Sequence, residues 1–136
     1  MGLRLNKLKA TIKHQKHAGG LGRIEAMSGG YLFRLLVFED APTRRDNDEV
    51  YLLIKESEIA LSKDKPVGLS ISNQVECVIS EIKKGEILCE STLLFAEQKL
   101  VSMITSESIE RLSLGVGDTV YALIKANEIY LESIDD

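Results

Sequence analysis

The chain has 136 residues, a formal net charge of −4, 44% hydrophobic and 28% charged residues, which describes a folded globular protein and excludes a disordered one. The acidic balance gives no support for a general nucleic-acid binder, which would present a large basic surface. Trp is absent and Phe and Tyr total seven, so the core must be mostly Ile, Leu and Val.

The chain opens Met1-Gly2-Leu3-Arg4, and no apolar run long enough for a signal peptide or a membrane-spanning helix follows, so the expected location is the cytoplasm, without membrane insertion. Leu8, Ala10 and Ile12 alternate with Lys7, Lys9, Thr11 and Lys13, the period of two of a half-buried strand with a charged outer face. A second strand is expected from Leu21 to Met27, a hairpin turn at Gly29-Gly30 and a third strand from Tyr31 to Phe38. Residues 41–49 read as an irregular loop or a shortened helical turn before the strand that contains Val50 to Lys55. Ser62 to Gly68 is a polar connector with Pro66 and Gly68. The pattern then repeats. Val75, Cys77 and Ile79 mark a strand in which Val78 breaks the alternation, and Glu86 to Leu94 and Lys99 to Thr105 form a hairpin around Ala96-Glu97. A short helix follows, with the hydroxyl cap assigned to Ser106, an inward face of Ile109, Leu112 and Leu114, and an end at Gly115 and Gly117. Strands at Thr119 to Lys125 and Glu128 to Glu132 complete the chain.

The repetition is specific. Val50 to Leu61 and Val120 to Leu131 are identical at eight of twelve positions, 70 residues apart. Asn6-Lys7-Leu8 corresponds to Asn73-Gln74-Val75, 67 residues apart, so the first unit is three residues shorter between these blocks. The units are placed at 3–62 and 70–134. Five short antiparallel strands in so few residues predict closure into a small barrel, which removes the edges and makes one interior. The expected fold is all-β, two tandem five-stranded OB-like barrels, the second with a short helix before its fourth strand.

Enzymatic motifs are absent: there is no phosphate-binding glycine loop, no dinucleotide fingerprint and no nucleophile elbow. Cys77 and Cys89 lie in apolar surroundings and read as buried reduced thiols. His14 and His17 have no third metal ligand at a suitable spacing and read as surface histidines. Arg4, Lys7, Lys9, Lys13 and Lys16 on an opening strand could track phosphates, but stacking aromatics are missing and a solvated strand face looks the same. Lys55 and Lys125 each follow Ile at a strand end, with Ser57 and Asn127 two residues later, and Ser70, Ser72 and Asn73 open the second unit. Such hydroxyls, amides and ammonium groups suit a tetrahedral oxyanion, every oxygen of which accepts hydrogen bonds and none of which donates. On residue types alone, surface lysines and an ordinary turn are the preferred reading.

Leu114-Gly115-Val116-Gly117-Asp118 followed by Val120 to Ala126 resembles the molybdenum-pterin-binding-like (Mop) domain of the transport-associated OB (TOBE) group. Ser70-Ile71-Ser72-Asn73-Gln74-Val75 resembles the family's Ser-Ala-Arg-Asn-Gln-Leu opening, and Ile104-Thr105-Ser106-Glu107-Ser108 its Ile-Thr-x-Glu-Ser. The resemblance covers nearly all of the second unit. In the first it rests on Asn6 to Ala10 and the Lys55 block. It implies a tandem Mop protein that binds molybdate or tungstate for intracellular storage, homeostasis or transport, as a homo-oligomer, a trimer by family habit, with anions held between subunits or domains. It also implies possible partners among molybdate transporter or regulator components, and an alternative role as an accessory or sensing module with weak or no ligand of its own. The oxyanion-binding residues it implies are Ser70, Ser72, Asn73, Lys125 and Asn127, with Lys55, Ser57 and Arg4 in the first unit. The family's Arg position holds Ser72, and the opening positions of the first unit hold Leu3 and Leu5.

Overall fold

The opening strand of each half, in a computed structural model that describes residues 4–38 and 41–134, follows the apolar alternation of its sequence. Leu3, an opening position of the first unit, lies outside the described residues. In β1 (Leu5–Ala18), Asn6, Leu8, Ala10 and Ile12 are buried while Leu5, Lys7 and Lys9 face out. The register against β2 (Leu21–Ser28) shifts between Ile12 and His14. Beyond that bulge β1 pairs only with β2, since its pairing with β4 (Glu49–Lys55) stops at Thr11. The matching shift in β6 (Asn73–Lys83) falls between Ile79 and Glu81. Val78, which interrupts the alternation in the sequence, is an exposed apolar residue between the buried Cys77 and Ile79.

Gly29 and Gly30 turn β2 into β3 (Tyr31–Phe38) with φ of +59° and +80°, the left-handed pair that matches the twist of a two-residue hairpin. A Cβ at Gly29 would run into the Gln98 amide and stand 3.0 Å from the Phe95 ring. Gly29→Ala is therefore expected to cost about 1–3 kcal/mol, from positive-φ strain and overpacking together. Thermal unfolding of the variant checks this, and Gly30→Ala, which meets nothing within 4 Å, is the control that carries the backbone strain alone.

In the second half β7 (Leu88–Phe95) and β8 (Gln98–Thr105) form the corresponding hairpin, and α1 (Ser106–Arg111) follows. The helix is capped one residue earlier than the sequence reading placed it. Thr105 is the cap, its Oγ1 accepting from the Ser108 N–H at 3.1 Å. It also ends sooner: Ser113 takes φ +52° and the Leu114 N–H returns to the Ile109 carbonyl at 3.0 Å, before either glycine is reached. β9 (Thr119–Ile124) and β10 (Ile129–Ser133) complete the half. No helix among the described residues is long and apolar enough to cross a membrane.

The expected OB-like barrels do not form. The protein has two five-stranded antiparallel sheets, and neither closes nor curls strongly. One runs β10-β4-β1-β2-β3. The other, with β5 (Ala60–Ser62) at its edge, runs β5-β9-β6-β7-β8. The physical reason lies in the last strand of each repeat, which crosses to the other sheet. β5 follows β4 but pairs with β9, through Ala60 opposite Leu123, and β10 follows β9 but pairs with β4, through Ile129 opposite Ile54. The edge strands β3 and β10 make no ladder with each other, nor do β8 and β5.

The barrel expectation assumed that each half had to bury its own interior. Instead the halves bury one continuous core. Leu8, Ile12, Phe33, Leu52 and Ile54 of the first sheet join Ile79, Leu93, Leu100 and Ile124 of the second. Phe33 on β3 meets Phe95 on β7 edge-on, ring centres 6.1 Å apart, and Ser102 Oγ on β8 donates to the Ile59 carbonyl at 2.7 Å. Cys77 and Cys89 are unpaired and buried in this core, and burial pushes the Cys77 thiol up to about 12.

Candidate functional site

Two buried asparagines hold the sheets together at the places where the repeat begins. The side-chain amide of Asn73, on β6, donates to the carbonyls of Arg34 at 2.8 Å and Ile124 at 3.0 Å, and its Oδ1 accepts from the Arg34 N–H at 2.8 Å. Asn6, on β1, does the same for the other half. It donates to the Val101 carbonyl at 2.9 Å and the Ile54 carbonyl at 3.2 Å, and accepts from the Val101 N–H at 2.7 Å. A primary amide carries the donor and acceptor of a peptide group. Each asparagine thus acts as one residue of an extra strand on the edge of β3 or β8, and partners backbone groups that an open edge would leave bare.

The residues expected to bind an oxyanion gather around these clasps. Lys55 ends β4 and Lys125 follows β9, each with extended backbone (φ −63°, ψ 136° and φ −70°, ψ 146°), and each precedes a single 3₁₀ turn, Glu56–Glu58 or Ala126–Glu128. Leu5 pairs with Lys55 across the β1–β4 ladder. One step beyond the Asn73–Ile124 pair of the β6–β9 ladder stand Ser72 and Lys125. The second half therefore brings Ser72 and Lys125 to the same strand ends, with Ser70 just upstream. Ser70, Ser72, Lys125 and Asn127 are all exposed, and among the described residues none makes a side-chain hydrogen bond or ion pair within the chain. Their donors are free for a ligand. Asn73 is not: both its N–H groups are engaged in the clasp.

In the first half Lys55 is half-buried, Ser57 is exposed, and Arg4 is already engaged. The Arg4 guanidinium pairs with Glu90 on β7 and, through Nε, with Glu56 Oε1 at 3.2 Å. Glu90 and then Glu56 raise the Arg4 pKa above its ordinary value, so the side chain stays a fixed cation. The sequence had no signal for the Glu90 contact, which joins residues in different sheets. The repeat of Asn at 67 residues was the available signal for the clasps, since Asn6 and Asn73 were already aligned.

Asn127 also lines a groove of about 640 Å³ between β3 and β10, whose walls include Leu21, Leu36, Phe38 and Tyr130. Phe38 is 72% exposed, and the other three are exposed as well. No group of three or more His, Cys, Asp or Glu residues that could hold a metal ion occurs among the described residues. His17 is at 3.2 Å from the Gln15 side-chain oxygen.

Residues 69–131 match the model of the TOBE domain. The molybdenum import ATP-binding proteins ModC of Brucella abortus (strain 2308) and Brucella suis biovar 1 are each 31% identical over 78 residues, 57% of this chain. The match takes in 22% of the length of those relatives. Among solved structures, the cytoplasmic molybdate-binding protein ModG, crystallised with molybdate bound, superposes with a TM-score of 0.90 at 24% identity, over 95% of this chain and 96% of that one. A molybdate-binding protein from Sporomusa ovata is 35% identical over 44% of this chain and 90% of its own, with a TM-score of 0.43.

Proposed function

We propose that this chain is a member of the Mop/TOBE-like family and a cytoplasmic protein that reversibly binds molybdate or tungstate, without covalent chemistry, for molybdenum storage, homeostasis or transport. The observation that carries the reading is the strand end of the second half: Lys125, with Ser70, Ser72 and Asn127, presents donors that no described residue occupies. A tetrahedral dianion needs such a set, because its oxygens only accept and its charge must be met by donors that replace water. ModG, whose fold this chain shares, is a cytoplasmic molybdate-binding protein, which supports the choice of anion and of location.

Lys125 supplies charge, Ser70, Ser72 and Asn127 supply hydrogen bonds, and Asn73 fixes the strand ends from which they project. Lys55 and Ser57 stand in the first unit where Lys125 and Asn127 stand in the second, with Arg4 beside them, and 3–62 and 70–134 are the two repeats. One chain leaves these donors on an open surface, so the reading includes a homo-oligomer, a trimer by family habit, in which a second copy covers them. The exposed apolar side chains around the β3–β10 groove support self-association. A second reading, an accessory module of a transporter or regulator, is favoured by the match to a 78-residue stretch of the much longer ModC proteins.

Calorimetric titration tests the proposal. Molybdate and tungstate are each expected to bind saturably in chloride buffer. No saturable heat with either ion, at a protein concentration where the chain is folded, would count against oxyanion binding and for the module.

A further inference from the structure

The two halves differ in charge beside their strand-end lysines. Aligned through Val50–Leu61 and Val120–Leu131, Glu56 stands opposite Ala126, and aligned through Asn6 and Asn73, Arg4 stands opposite Ile71. In the first half the Arg4 Nε donates to Glu56 Oε1 at 3.2 Å, and the Glu56 N–H donates to the Arg4 carbonyl at 3.1 Å. Arg4 also pairs with Glu90. Glu56 is only 8% exposed, directly after Lys55. The second half has the methyl group of Ala126 and the sec-butyl group of Ile71 in place of this carboxylate and guanidinium.

We infer that the Glu56 carboxylate is the built-in anion of the Lys55 half, so that the chain loads an oxyanion at the Lys125 half alone; this rests on the oxyanion reading above. A buried carboxylate is weakly screened, and an arriving dianion meets it and Glu90 as like charges. The Arg4 guanidinium already directs Nε and Nη2 at those two carboxylates. At the Lys125 end Ala126 adds neither charge nor acceptor beyond its backbone.

Native mass spectrometry at saturating molybdate tests this by counting anions per chain. Glu56→Ala, which copies the second half, is expected to about double the number bound. At a molybdate concentration that only just saturates the wild type, Lys125→Ala is expected to lose most of its bound anion, and Glu56→Ala combined with Lys125→Ala to restore about the wild-type number. Glu56→Gln keeps the shape and drops the charge, so it guards against a variant that fails to fold; it is expected to load the added anion at higher molybdate concentration. An unchanged count in both folded Glu56 variants overturns the inference while the oxyanion reading stands. So does a Lys125→Ala protein that still loads its Lys55 half. No anion on the wild type or on any variant removes the oxyanion reading, and this inference with it.

Discussion

Replacing Lys125 with Ala is expected to raise the Kd for molybdate about 10- to 100-fold and to leave the melting temperature nearly unchanged. A charge-assisted hydrogen bond to an ionised ligand contributes about 1.5–3 kcal/mol, and about 1.4 kcal/mol is tenfold in Kd. Lys125 is exposed and makes no ion pair among the described residues, so its removal takes nothing from the fold beyond the few tenths of a kcal/mol usual for a surface change. The combination separates function from structure: a merely solvated lysine would change neither quantity. Calorimetry and thermal unfolding on the same sample read both. The loss should shrink at high salt, because an exposed ammonium is screened.

Asn73→Ala is expected to do the reverse, lowering the melting temperature by about 10 °C or more. The fully buried Asn73 amide satisfies the Arg34 N–H and the carbonyls of Arg34 and Ile124. Alanine leaves the Arg34 N–H and carbonyl, on the open edge of β3, without partners and takes one bond from the Ile124 carbonyl, and each buried orphan costs about 1–3 kcal/mol. The sum is large for a chain of this size, where about 1 kcal/mol moves the melting temperature by several degrees. Asn73→Asp should fare little better, since it keeps the acceptor, loses both donors and buries a charge. Asn6→Ala should cost less, because Asn6 is slightly exposed and its bond to Ile54 is longer, at 3.2 Å. Any loss of molybdate binding in the Asn73 variants should follow the loss of folded protein. A melting temperature within about 2 °C of wild type in Asn73→Ala would contradict the clasp.

The strands were legible because their signal is local. Alternation along Leu8, Ala10 and Ile12, the Gly29-Gly30 turn and the eight matching residues of the Lys55 and Lys125 blocks all lie within short windows. The sheets were not legible. Nothing in Ala60–Ser62 or Ile129–Ser133 says which neighbour each pairs with, because a strand's ladder bonds come from backbone groups that every residue shares. Pairing each strand within its own repeat gave two barrels, and exchange of the last strands gives two open sheets over one core. The same holds at the site. The lysines and hydroxyls at the strand ends could be picked out by residue type, while the engagement of Asn73 with Arg34 and of Arg4 with Glu90 joins residues far apart in the chain. Asn73 was chosen for its donors, and the fold shows where those donors point.

The most direct test of the central claim is the native mass spectrum of the wild-type protein with and without molybdate. The account predicts discrete mass additions of molybdate on a folded symmetric oligomer, removed by the Lys125→Ala change. An anion-free spectrum at saturating molybdate, on a monomer, would contradict it.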